Sequence, residues 1–172
     1  MNNFIISESN DFNIQKMIDI ALNEKLYIEG FDLYKVLNNL KSFKDESLKI
    51  NLLYINKTPS GIALYTMYEP YNLQVFVKEH IRRNGYGKIL VESLIKRLNN
   101  KEKLSIKVGI GIEESYEFWG NLVEKELLNK KSVSFYELIE IRKEARLMQE
   151  KFFSENNIER PLLNFIKEVE NK

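Results

Sequence analysis

A short glycine-containing segment between a candidate strand and a candidate helix constrains the fold of this chain more than any other feature. The apolar run Leu73–Val77 predicts a strand, a polar link follows, and Gly85 and Gly87 stand one residue apart before an amphipathic helix. A turn of this kind leaves the first backbone N–H groups of the helix without intrahelical acceptors, at the positive end of the helix dipole. The segment therefore predicts a binding site for a phosphate group.

The side chains of this segment favour the same kind of ligand. A Cβ atom at Gly85 or Gly87 would hold a ligand away from the backbone. Arg82, Arg83 and Lys88 add positive charge at the mouth of the turn, where they could pair with phosphate oxygens. The alternative is a glycine-containing turn from strand to helix that binds no ligand.

The spacing of the glycines distinguishes this segment from two common phosphate loops. It lacks the Ser or Thr that follows Gly-Lys in a Walker A loop, and it lacks the third glycine of the dinucleotide-binding pattern. It resembles instead the acyl-CoA pyrophosphate loop of the GCN5-related N-acetyltransferases (the GNAT family), whose signature is Arg/Gln-x-x-Gly-x-Gly/Ala. Arg82, Gly85 and Gly87 fit that signature. Val77 fits the apolar residue that ends a strand five residues before it.

The order of the predicted elements is also that of the GNAT fold. The patterns predict strand 4–7, helix 13–24, and a second helix that Asp32 caps and whose inward face runs from Leu33 to Leu40. Strands 48–55 and 62–67, the strand ending at Val77, helix 86–99, strand 104–110 and helix 114–128 follow in chain order. Residues 56–61, Asn-Lys-Thr-Pro-Ser-Gly, predict the turn between the second and third strands. Over about residues 3–128 the resemblance implies an α/β (α+β) acyl-CoA N-acyltransferase fold with a mixed sheet, in the order β-α-α-β-β-β-α-β-α.

The C-terminal part of the chain departs from the usual family pattern. Residues 132–136 predict a sixth strand, 137–153 a long charged helix, and a last helix runs from Pro161 to about residue 170. Family members usually close with a hairpin strand, so we interpret 137–172 as a helical extension of one domain that spans 1–172, with its core at about 3–136. The extension either packs over the sheet or serves as a substrate lid or a homodimer contact.

Composition narrows the classes of partner and of chemistry. The 172 residues are 44% apolar and 12% aromatic, which suits a single folded domain. A net charge of +1 disfavours a nucleic-acid partner. The absence of cysteine and the single histidine exclude disulfides, a cysteine nucleophile and a multi-histidine metal site. No signal peptide and no apolar run near 20 residues is present, so we expect a cytoplasmic protein without a membrane partner or a metal.

The resemblance implies direct transfer of an acetyl group from acetyl-CoA to an amine. A backbone N–H at the end of the fourth strand, near Phe76, Val77 or Lys78, would polarise the thioester carbonyl, and the glycine loop would bind the pyrophosphate. The residues that the resemblance assigns to the CoA site are Phe76, Val77, Arg82, Arg83, Asn84, Gly85, Tyr86, Gly87 and Lys88.

The general base is where the chain first departs from the family. Members with a glutamate base carry it six residues before the position matched by Val77, and this chain has Tyr71 there. Glu69, two residues earlier, is the candidate base, with a solvated turn carboxylate as the alternative. Glu79 in the loop is a weaker candidate for the same role.

The general acid is the second departure. The family element Ala-x-x-Phe-Tyr on the helix after the fifth strand is matched here by Ser115-Tyr-Glu-Phe-Trp119. An indole N–H is far too weakly acidic to protonate a thiolate. Tyr116, one helical turn earlier, is the candidate acid. The alternatives are a tyrosine that only packs in the core, and a CoA thiolate that leaves unassisted.

These features predict an N-acetyltransferase that uses acetyl-CoA and acts on an amine of a small molecule or a protein. Aminoacyl-tRNA is a less favoured acceptor, because strong RNA binding needs a basic surface. The alternative is a GNAT-fold protein that binds acyl-CoA with little or no turnover and serves as a regulatory or interaction module. The displaced base and the tryptophan at position 119 favour that alternative.

Overall fold

The structure is a computed structural model, and it describes residues 3–29, 32–40, 47–67, 72–109, 115–134 and 136–155. The chain divides into two compact units, Met1–Ser134 and Phe135–Lys172. The predicted single domain over 1–172 stays a prediction.

The described residues of the first unit contain four strands and five α-helices. The strands are β1 (Phe4–Glu8), β2 (Lys49–Ile55), β3 (Thr58–Tyr65) and β4 (Leu73–Val77). The helices are α1 (Ile14–Asn23), α2 (Asp32–Leu40), α3 (Tyr86–Lys96), α4 (Asn100–Ser105) and α5 (Ser115–Glu124). Two 3-10 turns, Glu79–Ile81 and Lys130–Ser132, complete the set.

The four strands form one antiparallel sheet in the order β1-β2-β3-β4. Its central register pairs Leu52 with Ile62 and Ile62 with Phe76. Each strand thus pairs with the next along the chain, although α1 and α2 lie between β1 and β2 and only the later strands are joined by short connections. Within the described residues β4 is an edge strand, and the segment with the two glycines follows directly from it.

The turn between β2 and β3 is tighter than the sequence predicts. Asn56 and Lys57 both have positive φ, 49° and 68°, as in the two-residue turns that match strand twist. The predicted hairpin turn between these strands is confirmed, but its bounds of 56–61 are too wide, because β3 already begins at Thr58. A bulge explains how Pro59 enters a strand: Leu53 pairs with Gly61 and Tyr54 with Pro59, which leaves the residue between them unpaired.

The predicted fifth and sixth strands, 104–110 and 132–136, are wrong as extended elements. Among the described residues they reduce to one parallel bridge between Val108 and Val133. A capping box competes with the alternating apolar pattern: the side chain of Asn99 accepts from Glu102 N–H at 3.0 Å, and that of Glu102 accepts from Asn99 N–H at 2.7 Å. This starts α4, which places Leu104 in a helix with its side chain 86% exposed.

The sheet is covered on both faces. The apolar sides of α1 and α2 pack on one face, and most of the enclosed side chains are aliphatic. They are Met17, Ile18, Ala21, Leu26, Leu33, Val36, Leu37, Leu40, Leu48, Ile50, Leu52, Ile62 and Leu64. Asn51 points the other way and donates to Ser93 of α3 at 3.0 Å, so α3 covers the opposite face. The predicted positions of α1, α2 and α3 are confirmed, apart from a shorter C-terminal end for α3.

Close packing of α3 fixes where its first turn lies. A Cβ atom added at Gly61 of β3 would lie 2.9 Å from the Phe76 carbonyl oxygen and 3.1 Å from Leu90 Cδ1. At the other end of the helix, Arg97 donates to the Ile50 carbonyl at 3.0 Å and to carbonyl groups of Ser9 and Asn51. The helix is thus held at both ends, and its N-terminus follows the loop that leaves β4.

Glu102 gives the fold a measurable pH dependence. Burial by itself would raise the pKa of this carboxyl, but hydrogen bonds from Lys49 and from Asn99 N–H lower the pKa below its ordinary value. Because the pKa is lower in the folded state, the ionised carboxylate stabilises the fold at pH values above the unfolded-state pKa of about 4.3. This stabilisation is lost as the pH falls through the folded-state pKa.

We therefore expect Glu102→Gln to lower the free energy of unfolding by about 2 kcal/mol at pH 7. The difference from wild type should shrink as the pH falls from the unfolded pKa of about 4.3 through the lower folded-state pKa, because the wild-type carboxyl is protonated over that range. Urea denaturation at several pH values measures both effects. Glu29→Gln, at an exposed carboxylate, is the control and should change little. A difference that stays constant or grows in acid would contradict the assignment.

The second unit contributes one long helix, α6 (Tyr136–Glu155). This confirms the helix predicted over 137–153. Arg146 and Glu150, one turn apart on the helix, form an ion pair at 3.2 Å that helps to stabilise it. The predicted helix from Pro161 lies outside the described residues. No helix in the described part of the chain is long and apolar enough to cross a membrane.

Candidate functional site

The N-terminus of α3 presents unpaired backbone donors. Gly85 is the N-cap residue, in the left-handed conformation with φ +79°, and no side chain caps the helix. The first amide to find a helical acceptor is that of Ile89, which donates to the Gly85 carbonyl at 3.1 Å. The N–H groups of residues 86–88 precede it and have no intrahelical acceptor. This helix end is therefore suited to bind an anion.

The two glycines of the loop are required for different reasons. A Cβ atom at Gly85 would meet no protein atom within 4 Å, so this position is open, and its positive φ favours glycine. A Cβ atom at Gly87 would lie 3.0 Å from Cε2 of Phe118 on α5. The sequence predicted ligand access as the reason for both glycines. The structure adds a packing reason for the second one, which the sequence did not reveal.

The two arginines of the loop lie in different environments. Arg82 Nε donates to the Val77 carbonyl at 3.0 Å, and its guanidinium lies 5.8 Å from the centre of the Phe76 ring. Arg82 therefore ties the loop back to the end of β4. Arg83 is exposed, with φ +65°, and no described residue pairs with its guanidinium. Arg83 is the arginine that is available to a ligand.

Other side chains hold the shape of the loop. Asn84 donates to the carbonyls of Ile81 and Arg82, at 3.1 and 3.2 Å. The Tyr86 ring packs edge-on against Phe4 of β1, with ring centres 5.8 Å apart. Lys88 lies 3.4 Å from the carboxylate of Glu92, one turn along α3. The predicted site residues of this segment are thus brought together around the start of α3.

Hydrogen bonds at the two ends of β4 establish which of its amides face the open edge. Leu73 N–H donates away from β3, to the Lys107 carbonyl at 3.3 Å. Lys78 N–H donates towards β3, to the carbonyl of the bulged Ser60 at 2.9 Å. Because N–H directions alternate along a strand, odd-numbered residues of β4 direct their N–H groups to the edge.

Because of this alternation, Phe76 and Val77, both predicted to contact the acyl carbonyl, direct their N–H groups to opposite sides of β4. Val77 N–H faces the edge, whereas Phe76 N–H faces the ladder with β3, where Phe76 pairs with Ile62. The Phe76 ring packs against the core that α1 and α2 cover. Val75 N–H also faces the edge, two residues before Val77. Val77 therefore suits the predicted oxyanion contact better than Phe76 does.

Charged groups on the α1 side connect the end of β4 to that helix. Lys78 Nζ lies 3.3 Å from the carboxylate of Glu24, the C-cap residue of α1. Burial raises the pKa of Tyr54 on β2, and the negative charge of Glu24 raises it further. Tyr54 therefore stays protonated at neutral pH.

The structure places only one of the two predicted catalytic residues. Tyr116 lies half-buried in the first turn of α5. Trp119 is buried, with 5% of its surface exposed, and packs edge-on against Phe118 with ring centres 4.8 Å apart. Its indole is thus a core group. Glu69 lies outside the described residues.

A comparison with known protein families decides the identity of the fold. The sequence model of the Acetyltransferase (GNAT) family matches residues 14–122, which is more than half of the chain. The chain belongs to the GNAT acetyltransferase family. This confirms the predicted family and its mixed α/β fold, and the match includes the glycine loop, β4 and most of α5.

Solved structures with a similar chain path are distant in sequence. One is a possible acetyltransferase from Clostridium difficile 630, at 16% identity and a TM-score of 0.44, covering 69% of this chain and 88% of that one. A second is the aminoglycoside N-acetyltransferase AAC(6')-Iy in complex with CoA, at 12% identity and a TM-score of 0.46, covering 72% of this chain and 87% of that one. A third is AAC(6')-Iy in complex with the bisubstrate analog CoA-S-monomethyl-acetylneamine, at 13% identity and a TM-score of 0.43, covering 68% of this chain and 86% of that one. Similarities this distant carry no argument about activity, and no curated protein matches the sequence.

Proposed function

We propose that this GNAT-family chain is an N-acetyltransferase that binds acetyl-CoA at the N-terminus of α3 and transfers the acetyl group directly to an amine. The observation that supports this most is the helix start at Gly85, which has no side-chain cap and lies beside the exposed Arg83. A pyrophosphate can accept hydrogen bonds from several such amides at once. Arg83 would pair with a phosphate, and Arg82, Asn84 and the following residues would hold the loop around it.

The proposed chemistry needs one donor at the acyl carbonyl and two proton transfers. The amine nitrogen attacks the thioester carbon, and the oxygen that becomes negative accepts a hydrogen bond from Val77 N–H. The carbon–sulfur bond then breaks, and Tyr116 donates its proton to the leaving thiolate. The proton lost by the amine goes to Glu69, directly or through a water. The products are the acetylated amine and free CoA.

The acceptor class in this proposal is an amine of a small molecule or of a protein. The second candidate function is acyl-CoA binding without turnover, in a regulatory or interaction module. One specific observation favours it: the position where family members often carry a tyrosine acid is the buried Trp119. The two functions share the CoA site and differ only in thiol release.

Calorimetry with acetyl-CoA, combined with free-thiol detection in the presence of an amine panel, tests the proposal. The panel contains an aminoglycoside, a polyamine and a peptide with a free N-terminus. We expect a one-to-one complex, and thiol release that depends on one of the amines. Binding without amine-dependent release would support the module instead. No binding by the folded protein would overturn both functions.

A further inference from the structure

Phe118 occupies the space beside the second glycine of the loop. A Cβ atom on Gly87 would lie 3.0 Å from Cε2 and 3.4 Å from Cζ of the Phe118 ring. Such a contact is too short unless the ring or the helix moves by a few tenths of an ångström. The GNAT signature permits alanine at this position. In this chain the ring of Phe118 makes glycine the residue that fits.

The ring of Phe118 is itself held in place. It packs edge-on against Trp119, with ring centres 4.8 Å apart, and Trp119 is buried in the core. Closely packed aromatic rings resist displacement, because moving one opens a void beside the other. The edge of the Phe118 ring therefore acts as a fixed surface against which the first turn of α3 rests.

The same turn has a second aromatic contact. Tyr86, the residue before Gly87, packs edge-on against Phe4 of β1. The first turn of α3 thus has one aromatic neighbour on the sheet, Phe4, and one on α5, Phe118. The backbone donors at residues 86–88 belong to this turn, so its position determines where they point.

We propose that Phe118 is a positioning residue for the CoA loop: its ring edge fixes the first turn of α3, so that the loop amides match the pyrophosphate oxygens. This inference rests on the proposed function. It links the two halves of the site, because α5 also carries Tyr116. One helix would then set the position of both the phosphate donors and the candidate acid.

A double-mutant cycle at the contact tests the inference. We expect Gly87→Ala to weaken CoA binding about tenfold, a change of about 1.4 kcal/mol, because the added methyl group pushes the turn away from the ring. Phe118→Leu should weaken binding about threefold, since the smaller side chain supports the turn less well. The double variant should bind no more weakly than Phe118→Leu, because leucine leaves room for the methyl group. Calorimetry with CoA measures all four proteins.

Controls separate positioning from loss of folding. Phe4→Leu removes the other aromatic contact of the same turn, and it should not rescue Gly87→Ala. In steady-state kinetics, Gly87→Ala should raise KM for acetyl-CoA and leave kcat within about twofold, which a folding defect does not do. Thermal unfolding of each sample confirms that the proteins are folded at the assay temperature.

The outcomes distinguish this inference from the proposed function. If wild type binds CoA and Gly87→Ala binds equally well, or if the two single effects simply add in the double variant, the role of Phe118 is overturned and the CoA site stands. If folded wild type binds no CoA, both the proposed function and this inference fail. Rescue of Gly87→Ala by Phe118→Leu, without rescue by Phe4→Leu, supports both.

Discussion

Gly85→Glu is expected to abolish acetyl-CoA binding, with at least a hundredfold loss of affinity, in a protein that remains folded. The new side chain would project into the open space that the ligand needs, because no protein atom lies within 4 Å of a Cβ atom there. Its carboxylate would also repel the pyrophosphate at a helix end that favours anions. The left-handed backbone at Gly85 adds strain of about 1–2 kcal/mol, which lowers stability without unfolding the domain.

Two control variants isolate the causes of this loss. Asn56→Glu adds the same charge at another exposed residue with positive φ, in the turn between β2 and β3, and it should leave binding unchanged. Gly85→Asn tolerates the left-handed backbone and adds no charge, so its loss of affinity measures the steric part alone. Calorimetry and thermal unfolding read binding and folding separately. Unchanged CoA binding by Gly85→Glu would remove the loop from the site.

Val77→Pro is expected to lower kcat about 10²–10³-fold while the KM for acetyl-CoA changes little. Removing one oxyanion donor costs about 2.7–4 kcal/mol of transition-state stabilisation in enzymes of this kind of chemistry. Proline removes the N–H of Val77, which faces the open edge of β4 rather than the ladder with β3. Edge strands tolerate proline where the N–H points away from the sheet, so the fold should survive.

Val75→Pro is the matched control for this prediction. Val75 also directs its N–H to the edge, so both variants cost the strand a similar amount of stability. We expect the large kcat loss only at Val77, whose carbonyl is fixed by Arg82. A kcat loss confined to Val75→Pro would move the oxyanion contact by two residues. Equal and small losses in both would contradict a backbone donor on β4.

Elements with a strong local pattern were predictable from the sequence. The inward face of α2, with Leu33, Val36, Leu37 and Leu40, repeats at helical spacing, and all four side chains are buried. The run at β4 is apolar apart from Gln74 and is followed by the glycine loop. In each of these segments the sequence carries one structural signal with no competing one, and the tertiary structure agrees with that signal.

Elements with competing local signals were predicted wrongly. Pro59 and Gly61 are typical turn residues, but a bulge accommodates both in β3 because the two-residue turn before them already reverses the chain. Leu104 alternates with Ile106 and Val108, but the Asn99 capping box starts a helix there. Which signal prevails depends on hydrogen bonds that several separate residues form together.

The sequence by itself determined the family, the order of the elements from β1 to α3 and the place of the loop, because these patterns and the glycine and arginine spacing are local. Only the tertiary structure decided what each loop residue does. Gly87 is glycine because Phe118 of α5 lies against it, and Arg82 is committed to the Val77 carbonyl. Val77 rather than Phe76 faces the edge because the register with β3 sets the alternation. These roles come from contacts between residues far apart in the chain, and the spacing of residues within one segment does not predict such contacts.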